Sequence, residues 1–261
     1  MSKRRLIPKL QLKTSHYNPS KMVLVTTKQF SDFIEIGDAV SQSKIFQDQG
    51  ADELIFINID RVNKGIDILA GIIHNVSAEI FMPITVGGGV QTEQDFRTLL
   101  SNGADKISIN TIAVNNPDII NNASAKYGAQ CVVVSIDYKQ EADEKCYVYI
   151  NNGSTKTKLS PIDWAVECEQ RGAGELLLCN IDRDGMRYGL DNEICNAIAT
   201  QVKIPVITSG GCGLAKHFID GFKQGQADAV ASGTFFAMQD QNFMQTRSQI
   251  KNSGINIRVY S

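Results

Sequence analysis

The chain repeats itself. Asn58-Ile59-Asp60 recurs as Asn180-Ile181-Asp182, Pro83 as Pro205 and Gly89 as Gly211, each 122 positions further on. A supersecondary array present twice must pack against its own copy, which narrows the choice to pseudo-twofold folds. Within each copy, short apolar runs alternate with amphipathic segments, the pattern of a parallel sheet buried on both faces with helices outside. Eight such runs begin near Leu6, Leu54, Ile84, Ile107, Val132, Leu176, Val206 and Ala229. Four plus four closes a ring, so the expected fold is α/β: a single (β/α)8 TIM barrel over residues 1–261, built from two half-barrel repeats.

Local signals refine this outline. Thr92 can cap the segment carrying Phe96, Leu99 and Leu100 before Gly103 ends it. Ser160-Pro161 supplies a cap and then proline at the first helical position. Residues 140–159 fit neither pattern: Cys146 to Ile150 and Thr155 to Leu159 flank Asn152-Gly153, which predicts a β-hairpin insertion after the fifth strand.

With 26 basic and 28 acidic side chains the net charge is −2, so nothing in the overall balance favours nucleic acid or an anionic membrane as partner. Any anion site must be local. The six cysteines (131, 146, 168, 179, 195 and 212) form no C-x-x-C pair and read as reduced thiols, pointing to the cytoplasm. No apolar run approaches membrane-spanning length. His16, His74 and His217 lack metal-ligand spacing, so neither a metal nor another cofactor is expected.

Catalytic groups of such barrels lie at the C-terminal ends of the strands. Here those ends carry Gln11, Asn58 and Asp60, Gly87 to Gly89, Asn110-Thr111, Asp137, Asp182 and Asp184, Gly210-Gly211 and Ser232-Gly233. Glycine turns let backbone N–H groups converge on phosphate oxygens at a helix N-terminus. Two matched copies suit a ligand with a phosphate at each end; alternatively they are tight turns inherited from a duplication. Asp137 ends an apolar strand, where a raised pKa would fit proton transfer, although a turn-capping carboxylate would look the same. Its counterpart Gln11 is an amide and cannot carry a proton at neutral pH. At the opposite end, Arg5, Glu53, Lys106 and Glu175 stand at strand starts. They are either four solvated ends or a ring of paired charges across the barrel floor.

Taken together, these residues resemble the cyclase subunit of imidazole glycerol phosphate synthase, HisF. The resemblance runs nearly end to end, through Arg5-Leu-Ile, Gly103-Ala-Asp-Lys-Ile-Ser-Ile-Asn-Thr111, Val132-Val-Val-Ser-Ile-Asp137, Arg171-Gly-Ala-Gly-Glu175, Ile181-Asp-Arg-Asp-Gly185, Ser209-Gly-Gly211 and Gly254-Ile-Asn-Ile-Arg258. It implies a HisH-like glutaminase partner on the N-terminal face, ammonia passing through the barrel, and a substrate bearing two phosphates. By the same resemblance, the phosphate anchors fall on Gly89, Asn110, Thr111, Asp184, Gly185, Gly211 and Ser232-Gly233. The ammonia gate falls on Arg5, Glu53, Lys106 and Glu175, and one catalytic aspartate on Asp137.

The departures cluster at the chemical face. The other catalytic aspartate falls on Gln11, the strand-two aspartate on Asn58, and the flexible lid after strand one carries Thr26-Thr27 in place of a lysine element. This profile looks like the HisF-like branch associated with acetamidino modification of bacterial surface sugars, which implies a sugar amidotransferase as further partner, O-antigen synthesis as context, and little histidine-pathway cyclase activity. The alternatives are an ordinary histidine-pathway cyclase, a HisA-type isomerase, and a non-catalytic module that activates a glutaminase.

Overall fold

The computed structural model describes residues 3–60, 65–238 and 243–258. Among the described residues twelve strands follow one another: β1 (Arg5–Thr14), β2 (Met22–Lys28), β3 (Ser31–Gly37), β4 (Leu54–Asn58), β5 (Ile84–Gly87), β6 (Lys106–Ile109), β7 (Val132–Gln140), β8 (Cys146–Ile150), β9 (Thr155–Lys156), β10 (Glu175–Asn180), β11 (Val206–Ser209) and β12 (Ala229–Ser232). Eight of them, β1, β4, β5, β6, β7, β10, β11 and β12, pair in parallel, and β10 closes onto β7 to complete the ring. The fold is the (β/α)8 barrel, with helices between the strands. Its strands start within one residue of the positions expected from the apolar runs.

Side chains alternate between the two faces of each barrel strand. Leu6, Leu10 and Leu12 join the large core between sheet and helices, while Ile7 joins a separate cluster inside the barrel. Two helices begin where the sequence places their caps. Thr92 and Asp95 form a reciprocal capping box for the helix Glu93–Ser101, and Ser160 caps Pro161–Gln170. Near the floor, Arg247 of the helix Phe243–Asn252 donates to the Asp52 carboxylate at 2.8 Å, and Asp52 also accepts from the Leu6 N–H. This buried contact ties the chain's last helix to the first strand.

Two antiparallel ribbons decorate the mouth, and they sit on corresponding strands of the two halves. β7 runs on past the barrel to pair with β8, and β8 with β9, around a turn in which Asn151, Asn152 and Gly153 all have positive φ. The β2–β3 ribbon rises from β1. The region expected to be a flexible lid is therefore a paired hairpin. It leans across the mouth, where the Gln29 N–H donates to the Asp184 carbonyl at 2.9 Å and the Gln29 amide to the Asp182 carbonyl at 2.9 Å. Among the described residues no helix is long and apolar enough to cross a membrane.

Candidate functional site

The two-residue period of β1 points Arg5, Ile7, Lys9 and Gln11 toward the barrel axis, one above another. They mark three levels: floor, middle and mouth. At the floor, Glu53 is 2% exposed and Glu175 5% exposed, so their charges need partners. Arg5 donates to both carboxylates, to Glu53 at 2.8 Å. Lys106 Nζ lies 3.0 Å from each Glu53 oxygen and 2.9 Å from Glu175. The four side chains thus form a closed ring of alternating sign, and Thr85 adds a hydroxyl to Glu53 at 2.6 Å. Burial lowers the Arg5 pKa, but Glu175 and Glu53 raise it by more, so the guanidinium stays charged.

Above the ring the barrel is apolar. Ile7, Ile55, Val133, Leu177, Ile207, Ala229 and Ala231 pack together, with Ile57 against them.

The mouth is polar and holds a charge absent from the sequence expectations. Lys9 is 6% exposed, and its Nζ donates to Cys179 Sγ at 3.2 Å and to Asp184 Oδ1 at 3.4 Å. Burial is the largest single influence and would discharge this amine, yet Asp184, Cys179 and Asp137 together outweigh it and the pKa is raised. Burial pushes the Cys179 thiol up to about 12, so the sulfur is a neutral acceptor at neutral pH. Asp137 is half-buried and accepts from Ser135 Oγ at 3.1 Å. Its pKa is raised to about 6, chiefly by burial, with Lys9 and Ser135 pulling it back and Asp184 adding to the rise. Gln11 does not reach Asp137. Its Oε1 lies 3.0 Å from Thr27 Oγ1, which is also 3.0 Å from Asp184 Oδ2. One hydroxyl proton can serve only one of these acceptors at a time.

Both glycine turns lie at the mouth and share one feature of their geometry. Gly88 and Gly210 have φ near +90°, and a Cβ on either would collide with the carbonyl of Asn58 or Asn180. These two asparagines are themselves repeat mates. A Cβ on Gly89, by contrast, would meet open space. Asn110 and Thr111 stand beside the first turn, but their side chains already have protein partners: Asn110 donates to the Ser135 carbonyl at 3.1 Å, and Thr111 Oγ1 accepts from the Asn151 N–H at 2.9 Å. Lys9, Gln11, Asp184, Gly185, Ser209, Gly210, Gly211, Ser232 and Gly233 line one pocket beside the second turn. The expected phosphate residues thus fall into two groups on opposite halves of the mouth.

Residues 5–241 match the histidine biosynthesis protein family. The chain belongs to that family. Over 261 residues it is 48% identical to a Prochlorococcus marinus (strain MIT 9313) protein provisionally named imidazole glycerol phosphate synthase subunit hisF2, with 99% of each chain aligned. Over 259 residues it is 38% identical to the imidazole glycerol phosphate synthase subunit HisF of Flavobacterium johnsoniae, with 99% of this chain and 100% of that one aligned. The chain is accordingly HisF-like from end to end. Neither relative's name refers to surface glycans.

In this HisF-like chain the ionisable pair of the mouth is Lys9 with Asp184, and sequence reasoning passed over Lys9. It lies inside the run Leu6-Ile7-Pro8-Lys9-Leu10 and was hidden by its neighbours. Counting from Arg5 in steps of two would have placed it on the inward face.

Proposed function

We propose that this chain is the ammonia-accepting synthase subunit of a glutaminase-coupled complex of the imidazole glycerol phosphate synthase type, acting in the cytoplasm on a phosphate-bearing small molecule. The observation that carries this reading is the closed Arg5–Glu53–Lys106–Glu175 ring beneath an apolar barrel interior. Neutral ammonia can cross an apolar passage that an ammonium ion cannot cross without losing its hydration. A ring of ion pairs suits a gate: it excludes bulk water when closed and can re-pair around a passing molecule. A HisH-like glutaminase on the floor face would supply the ammonia.

At the mouth, Gly89 with Asn110 and Thr111 would hold one phosphate, and Asp184-Gly185, Gly211 and Ser232-Gly233 the other. Between them Asp137, with its raised pKa, is suited to give or take a proton near neutral pH. Gln11 cannot share that work. The names of the relatives favour the cyclase reaction of histidine biosynthesis, run here with a single carboxylate at the proton-transfer position.

A second reading rests on Gln11. An amide in place of an acid favours a different ammonia acceptor, an N-acetyl sugar amidated together with a sugar amidotransferase during surface-glycan synthesis. One experiment separates the two: co-expression with a HisH-like glutaminase, with and without a sugar amidotransferase, followed by glutamine-dependent turnover of the imidazole glycerol phosphate precursor and of nucleotide sugars. Turnover of the precursor, with growth of a histidine auxotroph lacking its own cyclase, supports the first. Product only from nucleotide sugars supports the second, and ammonia release without either product sinks both.

A further inference from the structure

Two unmet hydrogen-bonding groups meet in the pocket beside the second glycine turn. Lys9 carries three N–H donors. Two have acceptors, Cys179 Sγ and Asp184 Oδ1, and among the described residues the third has none within hydrogen-bonding distance. Ser209, 2% exposed, is the other: its Oγ is buried and has no hydrogen-bond partner among the described residues. Leaving a buried hydroxyl unpaired is costly, and such a group in a native protein calls for a ligand or an ordered water.

The two groups are neighbours. Ser209 pairs in register with Cys179 on the adjacent strand, and Cys179 is the residue whose sulfur accepts from Lys9. Both Lys9 and Ser209 line the pocket closed by Gly210, Gly211 and Gly233. The Gly233 turn lies close against the β1 backbone, since a Cβ there would come within 2.8 Å of the Lys9 carbonyl oxygen. An ammonium with a spare donor, next to a hydroxyl with none of its bonds made, is complementary to an anionic oxygen and to little else.

We propose that Lys9 Nζ and Ser209 Oγ form an anion subsite on the inner wall of this pocket, and that it takes one oxygen of the phosphate monoester seated on the Gly211 and Gly233 turns. The proposal rests on the phosphate-ligand reading above and deepens it. Backbone N–H groups hold the outer face of the phosphate, and the side-chain pair holds its inner face. Asp184 is then the resting counter-ion of Lys9, sharing the ammonium with the ligand once the ligand binds. This gives the second half of the mouth a side-chain ammonium donor, shared with Asp184, and so makes it the tighter of the two phosphate sites.

The test is titration of the full-length chain with inorganic phosphate, followed by calorimetry. Ser209→Ala should weaken phosphate binding at least several-fold while leaving the thermal midpoint unchanged or higher, because it deletes an unpaired buried hydroxyl. Lys9→Met should weaken binding by tenfold or more, and Lys9→Arg should recover part of the loss. If Ser209→Ala lowers the midpoint but leaves phosphate affinity intact, Ser209 is structural and the subsite is wrong. The Ser209 variant decides the matter even if Lys9→Met fails to fold. Wild-type protein that binds no phosphate at all would overturn the phosphate-ligand reading and the subsite together. Wild-type protein that binds it as well as both variants do would overturn the subsite alone.

Discussion

Lys9 Nζ lies 3.4 Å from Asp184 Oδ1, and this contact joins the first half-barrel to the second inside the mouth. Both side chains are almost wholly enclosed, at 7% and 10% exposure. Removing one member of a buried pair strands the other, at a cost of about 3–5 kcal/mol. Because the Thr27 hydroxyl can still serve Asp184, Lys9→Met should lie at the low end, at about 3 kcal/mol in urea unfolding. A loss below about 1 kcal/mol, the range of an exposed ion pair, would mean that the pair is solvated.

Asp137 should make stability depend on pH in a defined direction. Its folded pKa, about 6, is raised above the ordinary 3.8, so between those values the native state holds a proton that the unfolded chain has released. The stability this provides is fully present below about pH 4 and is lost as pH rises through about 6. Asp137→Asn cannot ionise. The variant should therefore gain on the wild type across that window, by on the order of 2 kcal/mol, and then hold a constant lead. Urea midpoints measured at intervals from acid to neutral pH check this, and a difference that stays flat would mean that Asp137 is not desolvated.

The sequence revealed most where periodicity and repetition speak together. The duplicated Asn-Ile-Asp, proline and glycine positions led to eight strands, and Thr92 and Ser160 marked helix starts because caps act locally. Asn152-Gly153 disclosed its ribbon through turn chemistry. The β2–β3 ribbon escaped notice because the tight bend at Gln29 and Phe30 uses positive φ at ordinary residues, without a glycine or an asparagine to signal it. Lys9 and Ser209 escaped for a different reason. Their importance lies in which partners they lack, and that depends on strands 170 or more positions apart.

Two glycines of the first turn should respond unequally to substitution. Gly88→Ala drives a Cβ into the Asn58 carbonyl, whereas Gly89→Ala meets open space and bears only the cost of a positive φ, about 1–2 kcal/mol. We expect Gly88→Ala to destabilise the fold by clearly more than Gly89→Ala in urea unfolding. If Gly89 is a phosphate contact, its variant should instead lose ligand affinity. Equal destabilisation by the two would remove the distinction between the packing glycine and the binding glycine.

At Gln11 the expectation concerns rate. A positioned proton-transfer group contributes roughly 10²–10⁴-fold, so on the histidine-pathway reading the wild-type chain should be a slow cyclase. Gln11→Asp should raise steady-state turnover by at least tenfold. No gain, in a variant that is folded and still binds phosphate, would place Gln11 outside the chemistry.

The most direct measurement is the yield of product per glutamine hydrolysed by the assembled complex, made with an ammonia-scavenging enzyme in the surrounding solution. Ammonia that travels through the Arg5–Glu53–Lys106–Glu175 ring never meets the scavenger, so the wild-type yield should stay near one product per glutamine whether or not the scavenger is present. Lys106→Ala opens the ring; its yield should fall when scavenger is added, while excess ammonium salt still supports turnover. A wild-type yield that collapses in the presence of scavenger would show that ammonia reaches the mouth through bulk water, and would contradict passage through the barrel.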